Sequence, residues 1–194
     1  MRRRLLLPLV LGPLLIAGGP SHAEPRLQNR VESFDISGTT VDTIRANLNR
    51  NRQHSANRVE WHFSWESTPG QCRITEVRTE VSVTLHQPRL LPDPQRPASV
   101  QQQWDAYLLA LQAHQEGHVE LALNSAREIE RAILALPPAS SCDQLQASAN
   151  ATGRRLQEQL AADDREYDKR TQQGTLDGAH FPLTPAGPQQ ERGR

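Results

Sequence analysis

The chain has 194 residues, with 22 basic side chains balanced by 22 acidic ones and only 4% aromatic residues. Without a basic excess it is no electrostatic nucleic-acid binder, and with so few aromatic residues its core falls to Leu, Val, Ile and Ala. The length fits one domain large enough to bury such a core.

Residues 1–23 read as an export signal. Arg2-Arg3-Arg4 is a basic start, Leu5 to Ala17 an apolar stretch, and Ser21-His22-Ala23 a small-x-small cleavage site before Glu24. The apolar stretch is shorter than the ~20 residues a spanning helix needs and is broken by Pro8 and Pro13. A membrane anchor is therefore the poorer reading, and no cysteine follows for lipid attachment. Cleavage removes three arginines and no acid, leaving 19 basic against 22 acidic side chains and no transmembrane anchor in the mature chain.

Glu24 to Arg30 look like a polar leader. Val31 to Ile36 then form a short strand, and Thr39 or Thr40 caps a helix that runs through Ile44 and Leu48 to Asn51, with Asp42 in its first turn. Arg52 to Arg58 make a loop. Val59, Trp61, Phe63 and Trp65 alternate with Glu60, His62, Ser64 and Glu66, the period-two pattern of a half-buried strand. After a turn at Thr68-Pro69-Gly70, Cys72, Ile74, Val77, Val81, Val83 and Leu85 form one long strand. Its apolar phase slips by one residue, which places a bulge near Thr75 and Glu76. Four prolines between Pro88 and Pro97 make the next segment a loop.

From Val100 to Leu136 apolar residues recur by threes and fours, and His114 and His118 lie on the same stripe as Trp104, Leu108, Leu111, Leu121, Ile129 and Ile133. Pro137-Pro138 ends this helix. Ser141 with Gln144 starts another, whose inner row is Cys142, Leu145, Ala149, Leu156, Leu160 and Tyr167, with Gly153 a weak point. Beyond Thr171 the chain turns polar, and 183–194 reads as a disordered tail. Cys72 and Cys142 are the only cysteines; in an oxidising compartment an even pair forms a disulfide. The loop of about 70 residues it closes is worth on the order of 4 kcal/mol in the chain-entropy model.

The chemistry sits in His114-Gln115-Glu116-Gly117-His118. Imidazoles at i and i+4 share one helical face and can grip one metal ion, zinc being the natural candidate. The segment nearly matches the His-Glu-x-x-His zinc-protease motif, but Gln115 stands at the general-base position. At about 100° per residue, with His114 at zero, His118 lies near 40°, position 115 near 100° and position 116 near 200°. Glu116 thus points away and cannot replace the base. Gln115 faces the site with an amide that cannot accept a proton; losing a base costs ~100- to 10,000-fold in rate. The plain alternative is two core histidines with hydrogen-bond partners. Against it stands Gly117, since a mid-helix glycine costs ~1 kcal/mol and implies a close approach by something else. A third ligand must come from downstream, where His180 and Asp168 compete, with Glu166 in the same charged run as Asp168. His54, His62 and His86 read as surface residues.

Several motifs in order, Phe34-Asp35-Ile36-Ser37-Gly38-Thr39-Thr40, the Trp61 and Trp65 strand, Cys72-Arg73-Ile74-Thr75, the His114 to His118 segment, Cys142, and Tyr167-Asp168-x-x-Thr171, make the chain from about Phe34 to Phe181 resemble the bacterial family called domain of unknown function 922, described as secreted zinc-dependent proteases. That resemblance implies a metallopeptidase-like fold with its zinc helix at His114 and His118. This chain departs from the family pattern at Gln115, where members carry glutamate, and at Gln173-Gly174, where members carry a His-Gly pair.

The expectation is a single exported α+β domain over 24–182, periplasmic or secreted. A small antiparallel sheet packs on two long antiparallel helices in a zincin-like arrangement. Its function is peptide hydrolysis on peptide or envelope substrates with zinc as cofactor, weakened or lost through Gln115. A non-catalytic periplasmic binding or scaffolding protein that keeps the fold is the alternative.

Overall fold

The computed structural model describes residues 24–51 and 55–182; the expected signal segment, the expected tail and His54 lie outside the described residues. In chain order the elements are β1 (Arg26–Ile36), α1 (Val41–Arg50), β2 (Ala56–Thr68), β3 (Gln71–Leu90), α2 (Ala98–Leu134), α3 (Cys142–Thr171) and a 3-10 turn at Thr175–Asp177. The class is α+β: the described residues form three helices and one three-stranded sheet ordered β1-β3-β2. Among the described residues no helix is long and apolar enough to cross a membrane.

The sheet is mixed, which corrects the expected antiparallel arrangement. β2 and β3 form the antiparallel hairpin, but β1 runs parallel to β3, from Arg26 beside Glu80 to Ile36 beside Leu90. β1 is joined to the hairpin through α1 rather than by a tight turn, so no local turn geometry dictates its direction. It also begins at Arg26, inside the supposed polar leader, because main-chain pairing with β3 suits polar side chains at an edge. The bulge falls where the apolar phase slips: Ser64 pairs with Glu76 and Trp65 with Ile74, leaving Thr75 as the extra residue. β3 runs past the expected boundary through Pro88 to Leu90. A proline is tolerated there because β2 pairs no further along β3 than Thr84, so among the described residues no second strand pairs with β3 at Pro88.

Thr40 is the cap of α1, and Thr43 returns the bond to its backbone in a reciprocal capping box. α2 and α3 form the long hairpin, with Ser141 accepting from the Gln144 amide at the start of α3. One face of the sheet and the inner rows of both helices make the main core: Val59, Ile74, Val77, Val81 and Val83 against Ala122, Ala126, Ile129, Ile133, Leu145, Ala149, Leu156 and Leu160. Gly153 is the contact point for Trp61, whose indole lies where a Cβ would be, 2.3 Å from its Cε2, and whose Nε1 donates to Asn150 at 3.2 Å.

Cys72 and Cys142 are disulfide-bonded, their Cα atoms 5.2 Å apart across 70 residues. Beside the bridge Cys72 exchanges two main-chain hydrogen bonds with Ala139, at 2.8 and 2.9 Å, so the closed end of the hairpin is fastened to the sheet twice. A second apolar cluster of Ile36, Ile44, Val100, Trp104, Tyr107 and Phe181 holds the segment after α3 against the N-terminal half of α2. Phe181 meets Trp104 and Tyr107 edge-on at 5.7 and 5.8 Å.

Candidate metal centre

The antiparallel course of α2 and α3 sets one i, i+4 pair against another. His114 and His118 on α2 face Asp168 and Asp164 on α3. His118 Nε2 lies 3.0 Å and His114 Nε2 3.3 Å from the same Asp168 Oδ1, and one ligand atom from each of the three residues lies within 4.8 Å of the others. At zinc–ligand distances of about 2.0–2.2 Å, the edge of a tetrahedron of donors is about 3.3 Å, so these spacings suit one small cation. His118 Nδ1 meets Asp164 Oδ1 at 2.8 Å.

Each imidazole is held by a different device. His118 is fixed by the polar bond to Asp164. The ring of His114 is fixed by packing. Tyr167 stacks on one face, centroids 5.0 Å apart and planes 11° apart, and its hydroxyl donates to the His114 carbonyl at 3.3 Å. Gly174 covers the ring as well: a Cβ there would stand 2.8 Å from His114 Cγ. The chain reaches that position because Gln172, Gln173 and Gly174 all take positive φ, of 50°, 56° and 81°. The turn is tied by Gln173 N–H to Asp168 O at 2.7 Å and by Gly174 N–H to the Thr171 hydroxyl at 3.1 Å. Gly117 serves Tyr167, whose hydroxyl would be 2.2 Å from a Cβ at that position. This is the close approach that a mid-helix glycine implies.

The electrostatics suit a cation. Burial and the neighbouring His118 push His114 below its ordinary 6.5, against the pull of Asp168. For His118 burial also acts downward, but the Asp164 hydrogen bond and the charges of Asp168 and Asp164 outweigh it and raise the value. Burial and Asp177 raise Tyr167, which keeps its phenol proton for the His114 carbonyl. His114 Nδ1 is buried without a hydrogen-bond partner among the described residues, so the polar future of this ring lies at Nε2, toward Asp168. Two carboxylates around two imidazoles leave excess negative charge in a half-buried space, which a divalent ion would neutralise. The donors fit the metal that the His-x-x-x-His spacing suggests.

The remaining candidates are placed as follows. Asp168 joins the pair; Glu166 and His180 are exposed and stand apart from the three-residue cluster. His62 is exposed, as expected of the polar side of β2. His86 is not a surface residue: its side chain is 17% exposed, because β3 continues past it. Gln115 is buried and turned toward the sheet, its amide donating to His86 O at 3.3 Å and reaching the Ser55 hydroxyl at 3.5 Å. With His86, Tyr107, Gln173, His180 and Phe181 it lines a cleft of about 350 Å³, whose lining includes none of the three donor residues. Asp164 is the residue that reading the charged run as a solvated face misses. Its spacing of four from Asp168, matching the histidines, is the signal that finds it.

The family model for a bacterial protein family of unknown function, DUF922, matches residues 31–174, most of the chain and all three donor residues. No curated protein and no solved structure matches it.

Proposed function

The chain belongs to the DUF922 family, and from that footing we propose that it is an exported zinc-binding protein of metallopeptidase type, acting on peptide or envelope substrates, in which hydrolysis is weak or lost. The observation that carries this reading is the convergence of His114 Nε2, His118 Nε2 and the Asp168 carboxylate. Two imidazoles and one carboxylate are a donor set that zinc takes in hydrolases, with one position left for water. Asp168 is the third ligand in this reading. Zinc bound there supplies an acidified water and a polarised carbonyl. The residues of the chain then have separate tasks. His114, His118 and Asp168 hold the ion, Tyr167 and Gly174 keep the first ring in place, and the cleft beside Gln115 offers room for a peptide side chain.

Gln115 favours the weakened form of the chemistry. Its amide nitrogen donates to a backbone carbonyl, a bond a carboxylate cannot make, and an amide accepts no proton from water. A binding or scaffolding role that keeps the ion is the second reading, supported by the same contact. Export is supported by residues 1–23 and by the disulfide.

Two measurements test the proposal on protein lacking residues 1–23. Elemental analysis should find one zinc per chain, absent from His114→Ala and His118→Ala variants; equal metal content in all three removes the centre. Iron in place of zinc would keep the centre and change the chemistry assigned to it. Peptidase assays should show Gln115→Glu above the wild type, whereas strong hydrolysis by the wild type overturns the role given to Gln115.

A further inference from the structure

We infer that Asp164 is the positioning residue of the centre: by accepting a hydrogen bond from His118 Nδ1–H it fixes that ring's tautomer and aims Nε2 at the ion. The inference rests on the zinc reading above and adds a residue that touches neither ion nor substrate.

The geometry is specific. Asp164 Oδ1 is 2.8 Å from His118 Nδ1, with the two side chains 25% and 17% exposed, so water competes weakly for either group. Asp164 and Asp168 are one turn apart on α3 and flank the same imidazole, one at each ring nitrogen. A neutral imidazole has one proton for two nitrogens. With the ion bound, a ring that keeps this proton at Nδ1, toward Asp164, would present its lone pair at Nε2 on the side of Asp168 Oδ1, 3.0 Å away, where the ion would replace the Nε2 proton of the metal-free ring. Exchanging the two protonation states would put the proton where the ion belongs and leave Asp164 facing a lone pair. A carboxylate behind a ligating histidine is the general means of setting ring orientation and basicity, and its removal costs ~10- to 100-fold in metal affinity.

His114 has no such partner; its Nδ1 is buried and unpaired among the described residues. The two ligands should therefore respond differently. His118 depends on charge behind it, His114 on the ring and glycine packed around it.

The test is Asp164→Asn, nearly isosteric and still able to accept from Nδ1–H, alongside Asp164→Ala. Zinc affinity is measured by competition with a chelator, and the His118 tautomer by ¹⁵N NMR of the imidazole ring. Circular dichroism of the metal-free variants checks folding. The expected result is affinity lowered about 10- to 100-fold in Asp164→Ala, less in Asp164→Asn, with the wild-type ring protonated at Nδ1. Affinities within about twofold of wild type, or a wild-type zinc form protonated at Nε2, overturn the inference while leaving the centre intact. A wild type that takes up no zinc removes the zinc reading and this inference with it. If Asp164→Ala fails to fold, the Asn variant and the wild-type tautomer still decide.

Discussion

Tyr167 lies flat against His114 with its hydroxyl passing over Gly117 to the His114 carbonyl. Gly117→Ala puts a methyl where that hydroxyl is. The substitution gains ~1 kcal/mol of helix propensity and loses a stack of ~0.5–1.5 kcal/mol and a hydrogen bond of about 1 kcal/mol. The melting temperature should change little while zinc affinity falls severalfold, because the ring that restrains a ligand has swung away. Calorimetric titration checks it; unchanged affinity would mean that Tyr167 is a bystander.

Gly153→Ala should behave differently, since the clash there is with an indole wedged between β2 and α3. Overpacking costs ~1–3 kcal/mol against the same helix gain of ~1 kcal/mol. Net destabilisation is expected, read as a lower denaturant midpoint with unaltered zinc binding.

The titration of the metal-free centre should split about 6.5. His118, raised by its carboxylates, contributes stability that is present below its unfolded value and lost as pH rises through its folded one. His114, lowered by burial, contributes stability present above its unfolded value and lost as pH falls through its folded one. Between the two folded values the centre carries one proton, on His118, and zinc uptake in that window should release it. Histidine ring NMR across pH 4–9 checks the order; His114 titrating above His118 would contradict it.

Breaking the disulfide with Cys142→Ser should cost up to about 4 kcal/mol, the chain-entropy figure for a loop of this size. The fold should survive, because the paired Cys72–Ala139 main-chain bonds remain. Urea unfolding of the oxidised wild type and the variant gives the difference.

Local periodicity made much of this architecture legible. The helices at α2 and α3, the Thr40 cap and the extra residue at Thr75 all follow from spacing, as does the approach at Gly117. What escaped is non-local. The direction of β1 depends on a crossover through α1, and the reach of β3 past Pro88 depends on where β2 stops. His86 is covered for the same reason. At the centre, the histidines announce themselves through one helical turn on an apolar stripe. Asp164 and Asp168 lie in a run of charges whose inward members become visible only when a second helix is laid antiparallel to the first, and the Gln172–Gly174 turn over His114 uses glutamines at positive φ that composition would not suggest.

The α2–α3 hairpin is secured at its two ends by different bonds. Beside Ala139 the tie is covalent and, outside a reducing environment, permanent. At His114 and Asp168 the proposed tie is coordination, reversible and set by how much free ion surrounds the protein. Loss of that ion would remove the reversible tie and leave the covalent one, so the far turns of α3 and the segment folded over the ring are where the hairpin would depend on metal, and the closed end is where it would not.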